Sequence, residues 1–422
     1  GAPLAIEGLM AFFLESTFIG LFFFGWDRLS KGKHLLATCL MALGSNLSAL
    51  WILVANAWMM APVGSEFNFE TMRMEMTNFW AVVTSEWAQA KFAHTIAGGY
   101  MTGAMFVMAL SAYYMLRRQD VSFAKSSFRL AAVFGTVAAL LTIHMGDESG
   151  YLVTRDQPTK IATMEAIWDT HEAPAPMTLF ALPDEEARTN HAQIDFPWVM
   201  GLIGTRSLST EIPGINQLEA QARERIENGV KAVTTLEALR KDPKNAELRE
   251  AFTAVKDDLG YGLLLKRYTE DVSAATPEMI AQAAADTIPG VAPMFWSFRL
   301  MVGCGLAMAL VFVLGAVYSV KNVITEKRTL LKLTLLALPL PWLACEAGWF
   351  VAEYGRQPWT IYNILPTHLS VSSLSAGEVL GSVIGFVVLY SALLVVEMWL
   401  MIRLGRKGPS SLGTGRYHFE QH

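Results

Sequence analysis

Ionisable and metal-ligating side chains inside apolar stretches carry most of the chemical information in this 422-residue sequence. Glu7 and Glu15 lie in the apolar run that opens the chain, with Ser16 and Thr17 directly after them. On a helix their separation sets the two carboxylates roughly two turns apart and within about 80° of each other, so both can face one interior. A carboxylate held in lipid is neutral, paired or functional, although Glu7 also suits a headgroup-level position. Ser48 stands in the middle of the next run, where its hydroxyl either shares a proton path with Glu15 or bonds back to its own helix. His94 opens the third run, and Met301 lies well inside the fifth, beside Arg299. Singly, His94 reads more readily as an interfacial hydrogen-bonder than as a ligand, and Met301 as a packing residue. Together they form the His and Met pair that holds a low-spin haem iron and raises its potential, with Arg299 available to neutralise a propionate. Glu353 closes the sixth run within EAGWFVAEYGRQPW, where a carboxylate, Arg356, Trp349 and Trp359 make either an interfacial belt or a site.

The elements that position these residues are membrane spans. Hydrophobic residues make up 53% of the chain and charged residues 17%, which excludes an ordinary soluble domain. The net charge of −5 and the lack of a basic, aromatic-interleaved stretch set nucleic acid aside as a partner. Cys39, Cys304 and Cys345 all fall in apolar runs without CxxC spacing and read as small hydrophobes. Seven runs approach the length of about 20 apolar residues needed to cross a bilayer: Pro3 to Trp26, Leu35 to Pro62, Phe92 to Leu116, Phe128 to Met145, Val291 to Val320, Leu330 to Val351 and Ala376 to Leu404. The fold class is therefore all-α, a polytopic transmembrane helix bundle. Basic residues alternate along the connections: Arg28, Lys31 and Lys33, then Arg117, Arg118, Lys125 and Arg129, then Lys321, Lys327, Arg328 and Lys332, then Arg403, Arg406, Lys407 and Arg416. The positive-inside rule makes these four connections cytoplasmic and places Val63 to Lys91, Gly146 to Gly290 and Ala352 to Ser375 outside.

The chain thus divides into helices one to four over 1–145, a large outer loop over 146–290, and helices five to seven with a cytoplasmic tail over 291–422. The loop holds 24 of the 38 acidic and 14 of the 33 basic residues, too long and too acidic for a mere connector. Gln217 to Arg240 and Lys244 to Lys256 have helical composition, and Asp258, Gly260 and Gly262 mark a turn. Glu7, His94, Met301 and Glu353 all come out at similar depth near the loop-bearing face.

Seven segments, GAPLAIEGLMAFFLEST, GSNLSALW, FNFETMRMEM, GDESGY, GYGLLLKRYT, EAGWFVAEYGRQPW and GPSSLGTGRYHFEQ, closely resemble subunit I of the cytochrome bd ubiquinol oxidases. The resemblance covers essentially the whole chain, and GRQPW with its preceding glutamates is highly specific. It implies a quinol:oxygen oxidoreductase of the bacterial inner membrane that builds proton motive force without pumping. Two haem b groups and one haem d are implied, with a second large membrane subunit and a small single-span one as partners. Residue by residue, the likeness gives His94 and Met301 as axial ligands of the low-spin haem b with Arg299 beside it. It gives Glu353 as ligand of the high-spin haem b with Trp349 and Arg356 as neighbours, and Glu7 as the acidic residue at haem d. Glu15 and Ser48 fall on the proton route, and Lys160 and Glu165 match the lysine and glutamate of the quinol-oxidising loop, here of the long type. Their spacing alone does not place those two on one helix face. Complete family members have nine spans, so the chain, which opens at Gly1 without an initiator Met, reads as N-terminally incomplete, and the histidine of haem d has no counterpart in it. The implied electron order is quinol, low-spin haem, high-spin pair, O2. Two other readings compete. A b-type electron relay would lack oxygen chemistry; a haem-free carrier or channel predicts paired broken helices, which the sequence does not contain.

Overall fold

The computed structural model describes residues 1–409; Arg416 and all of GPSSLGTGRYHFEQ after its first two residues lie outside the described residues. The main helices are α1 (Ala2–Phe24), α2 (Lys31–Met60), α3 (Glu86–Arg117), α4 (Val121–Asp156), α5 (Pro158–Met164), α6 (Ile215–Lys241), α7 (Ala246–Val255), α8 (Leu259–Leu264), α9 (Pro277–Ala285), α10 (Val291–Val320), α11 (Arg328–Leu336), α12 (Leu340–Tyr354) and α13 (Ala376–Lys407), with a short helical turn, Phe79–Val83, leading into α3. Seven segments are long and apolar enough to cross a membrane, the sixth being α11 and α12 taken together. Pro339 and Pro341 interrupt that segment because a prolyl nitrogen cannot donate and its ring crowds the preceding turn. In lipid every backbone polar group must be satisfied internally, which is why the apolar runs fold as helices.

The helices overrun the apolar runs that reveal them. α4 continues through Gly146 to Asp156, since GDESGYLVTRD contains no breaker before Pro158. α3 starts at Glu86, capped by Ser85 accepting from the amide of Ala88, so Lys91 belongs to the helix and not to the connection before it. The expected turn at Asp258, Gly260 and Gly262 is instead a 3-10 turn, Lys256–Asp258, running into the short helix α8. Its glycines serve close backbone packing: a Cβ on Gly262 would lie 2.2 Å from the carbonyl oxygen of Gly229 on α6, and one on Gly260 would lie 2.1 Å from that of Asn363. Three antiparallel two-stranded ribbons complete the described residues: β1 (Ser65–Asn68) with β2 (Arg73–Met76), β3 (Met177–Asp184) with β4 (Thr189–Phe196), and β5 (Trp359–Ile361) with β6 (Leu365–Pro366).

The tightest packing joins α3, α4, α10 and α11 around Met105, Met108, Phe128 and Phe312, all fully buried. Small residues permit it: a Cβ on Gly135 would meet Phe312 at 2.4 Å, and one on Gly315 would meet Met108 at 2.7 Å. At the end where basic connections cluster, Tyr114 donates to the carbonyl of Gly405 and Arg129 to that of Ser319, so three of those connections share one face. At the opposite end, Gln157 donates to the carbonyl of Met60, and Trp87 to Asp156. The segment 146–290 covers that second face. α13 exposes its apolar side chains along its length.

Candidate functional site at the loop-bearing face

Three polar clusters sit among the ends of α2, α3, α4, α10 and α12. In the first, the His94 ring nitrogen Nδ1 lies 3.1 Å from the carbonyl oxygen of Thr142, an acceptor that fixes Nδ1 as the protonated nitrogen. Nε2 is then the lone-pair nitrogen, the tautomer an iron-ligating histidine needs. Gly146 faces this ring, where a Cβ would stand 3.4 Å from His94 Cε1. On α10, Met301 directs its sulfur at Gly348 of α12, and a Cβ there would approach to 2.8 Å. Both donors lie about eight to ten residues inside their helices, a depth of ~12–15 Å. Among the described residues no group of three or more His, Cys, Asp or Glu side chains converges as a bare-ion site would require. One or two axial donors per iron suit a porphyrin, which brings four nitrogens of its own, so the residues fit a haem.

The second cluster centres on Glu165, at the C-terminus of α5 and 2% exposed. Arg299 Nη2 donates to its Oε2 at 2.7 Å, and the same guanidinium donates to the carbonyls of Met164 and Thr178 and lies 3.6 Å above the Phe295 ring. Burial pushes the Glu165 carboxyl up to about 7, against the pull of Arg299. Arg299 is thus engaged by the loop, two residues from Met301, and only its Nε is buried without a partner.

The third cluster surrounds Glu353. Arg356 Nη2 contacts Glu353 Oε2 at 2.6 Å, Asn56 Nδ2 donates to Oε1 at 3.2 Å, and Lys91 Nζ stands 4.0 Å from Oε1 while donating to the Asn56 amide oxygen. Lys160, 3% exposed, donates to the carbonyl of Ala352 at 3.1 Å. Burial, reinforced by Lys91 and Arg356, pulls its ammonium down to about 7. Lys160 and Glu165, five residues apart in the sequence, therefore serve different clusters. Trp349 is 65% exposed on the flank of α12 and does not enter this cluster.

Glu7 and Glu15 form separate pairs with α2. Ser48 donates to Glu7 at 2.7 Å and Ser45 donates to Glu15 at 2.8 Å, so the expected pairing of Ser48 with Glu15 is replaced by a register one turn apart. Gly44 makes the approach possible, since a Cβ there would lie 2.9 Å from the Glu15 amide nitrogen. Glu7 begins a π-helical turn, Glu7–Ala11, a local widening that often accompanies functional positions. Along α2, Ser48, the partner of Glu7, precedes Asn56, the partner of Glu353, by eight residues. Lys91, Asn56 and Ser45 escaped the sequence reading. Lys91 was discoverable as an ionisable residue three positions before His94, once the helix is started at its Ser85 cap instead of at the first apolar residue.

A multi-span helical protein with a partly buried histidine hydrogen-bonded through Nδ1 and ion-paired clusters beneath a large loop has an arrangement in which a membrane cytochrome could hold its haem. The family model for cytochrome bd terminal oxidase subunit I matches residues 1–409. The chain is 47% identical over 412 residues to "Cytochrome bd-II ubiquinol oxidase subunit 1" of Escherichia coli, covering 98% of this chain and 80% of that protein. It is 34% identical to "Cytochrome bd ubiquinol oxidase subunit 1" of Bacillus subtilis, covering 97% and 75%. In fold it is similar to the bd oxidase of Geobacillus thermodenitrificans, with a TM-score of 0.71 at 23% identity over 96% of this chain and 78% of that one. The chain belongs to the cytochrome bd terminal oxidase subunit I family.

Proposed function

We propose that this chain is the haem-carrying, quinol-oxidising subunit of a bacterial inner-membrane terminal oxidase that reduces O2 to water. The observation that carries this reading is the Glu165–Arg299 pair, which ties the loop to α10 two residues from Met301. Segment 146–290 is then the periplasmic quinol loop, and the C-terminal tail is cytoplasmic. Glu165, held near neutrality by burial, accepts a proton from quinol and passes it outward, while Lys160 positions the other side of the loop helix. Quinol donors are named for the relatives, ubiquinol for the one from E. coli. His94 and Met301 would hold a low-spin haem b, Glu353 a high-spin haem b beside Arg356 and Trp349, and Glu7 the acidic side of haem d. Haem supplies one-electron transfer and the oxygen-reducing centre. Ser45 and Ser48 hold Glu15 and Glu7 in line along α1, a hydroxyl–carboxylate row suited to carrying protons inward from the cytoplasmic side. Drawing protons from one side and releasing them on the other separates charge without a pump. A second large membrane subunit and a small single-span subunit complete the assembly.

The test is a pair of substitutions in the assembled oxidase. Met301→Leu should remove the low-spin band from the reduced-minus-oxidised spectrum and spare the high-spin haem. Glu165→Ala should slow quinol oxidation with haem content intact. An unchanged low-spin band together with normal quinol turnover would overturn the reading.

A further inference from the structure

The Glu353 cluster holds more positive charge than its own residues neutralise. Lys91, Lys160 and Arg356 face a single carboxylate, Glu353, whose two oxygens are already engaged by Arg356 and Asn56. The side chains of Lys91 and Arg356 are only 19% and 9% exposed. Arg356 Nε and Nη1 are buried without a partner. A buried guanidinium edge with two unmet donors, next to a lysine whose nearest carboxylate oxygen is 4.0 Å away, is costly unless an anion completes it. The missing charge must be a carboxylate-like group able to accept from a planar fork and an ammonium together. Two independent features of the site agree. Asn56 holds Lys91 and Glu353 through opposite ends of one amide, which keeps the lysine beside the carboxylate that Arg356 also contacts. And Lys160 donates only to a main-chain carbonyl and weakly to the Met60 sulfur, so it leaves the positive excess in place.

We infer that Lys91, together with the free edge of Arg356, binds a propionate of the porphyrin seated at Glu353, making Lys91 a cofactor-binding residue. This rests on the reading of Glu353 as a haem site. Lys91 and His94 are three residues apart on α3, so the same helix would carry an anion clamp for one haem and an axial ligand for the other.

The experiment compares Lys91→Met and Lys91→Arg with the parent in the purified oxidase complex, using haem extraction, reduced-minus-oxidised spectra and redox titration. Lys91→Met should lower the retained high-spin to low-spin haem ratio by roughly ten-fold during dilution, the scale seen when a group supporting a metal site is removed. Removing a cation should also move the high-spin midpoint potential downward, because the oxidised iron is then the better stabilised form. Lys91→Arg, which keeps the charge, should restore both. The low-spin band serves as the control for folding. Infrared redox-difference spectra with haem 13C-labelled at its propionates identify the anion: a label-sensitive carboxylate band should shift in Lys91→Met. An unchanged ratio and potential in Lys91→Met overturns the inference, as does a shift insensitive to the label, which would mark a free anion. If Glu353→Gln leaves the high-spin haem unaltered, the underlying reading fails instead.

Discussion

Glu165 and Glu353 are both carboxylates pressed against an arginine at the same face of the bundle, but their surroundings differ in charge. Around Glu165 the charges balance: one carboxylate faces one guanidinium, two carbonyls take further arginine donors, and only Arg299 Nε is without a partner. Around Glu353 it is open, with three cations to one carboxylate and an arginine edge left unmet. The difference separates two tasks. A closed pair fixes a loop and handles a proton without needing a ligand, whereas an open cluster sheds part of its positive excess when an anion binds. Identical substitutions in the two clusters should therefore have unlike consequences.

The largest effect is expected from breaking the closed pair. Arg299→Leu leaves a fully buried carboxylate unpaired beside two unmet carbonyls and should cost about 3–5 kcal/mol. Thermal unfolding of the purified complex would register it. Glu165→Gln in the Arg299→Leu background should recover much of the loss, since an amide carries no charge to strand. A double variant no more stable than Arg299→Leu would mean that the pair is not the closed unit described.

A smaller effect concerns pH. With its carboxyl pushed up to about 7, Glu165 is an anion, and so a proton acceptor, mainly above that pH. Quinol oxidation should rise through about 7 and level off above it, and Glu165→Gln should flatten this limb while lowering the rate. A limb that survives in Glu165→Gln would assign the titration to another group.

Much of this was readable from the residues before any coordinates. Seven spans, the alternation of basic connections and the lone His94, Met301 and Glu353 follow from hydropathy and from the cost of polar groups in lipid, which are local in sequence. What escaped detection depends on register between helices. Ser45 and Ser48 are equally good hydroxyls on α2, and only the approach of α1 at Gly44 decides which carboxylate each one meets. Lys91 was hidden by a boundary set at the first apolar residue, where the Ser85 cap starts the helix earlier. Lys160 and Glu165 stood out only through the family resemblance, since their spacing does not place them on one helix face. The five-residue step around α5 sends them to opposite clusters, and the partners that divide them, Arg299 and Ala352, are more than a hundred residues away.

The smallest effect should come from the open cluster, and its sign distinguishes it from the closed one. Lys160→Met removes one of three mutually repelling cations and replaces it with an apolar chain of similar length, so stability at pH 7 should be kept or gained, against the large loss at Arg299. The pH dependence shows why. Burial and the neighbouring Lys91 and Arg356 pull the Lys160 ammonium from 10.5 to about 7. Between those two values the unfolded chain binds a proton that the folded chain does not, so Lys160 makes stability rise with pH from about 7 toward 10.5. Lys160→Met should lose that slope, read as the difference between parent and variant melting curves at successive pH values. Supplying the anion that the cluster lacks would weaken the slope in the parent, because a negative neighbour raises the lysine back toward its ordinary range. A slope identical in parent and variant would show that Lys160 is not held against its charge, and would remove the contrast between the open and the closed site.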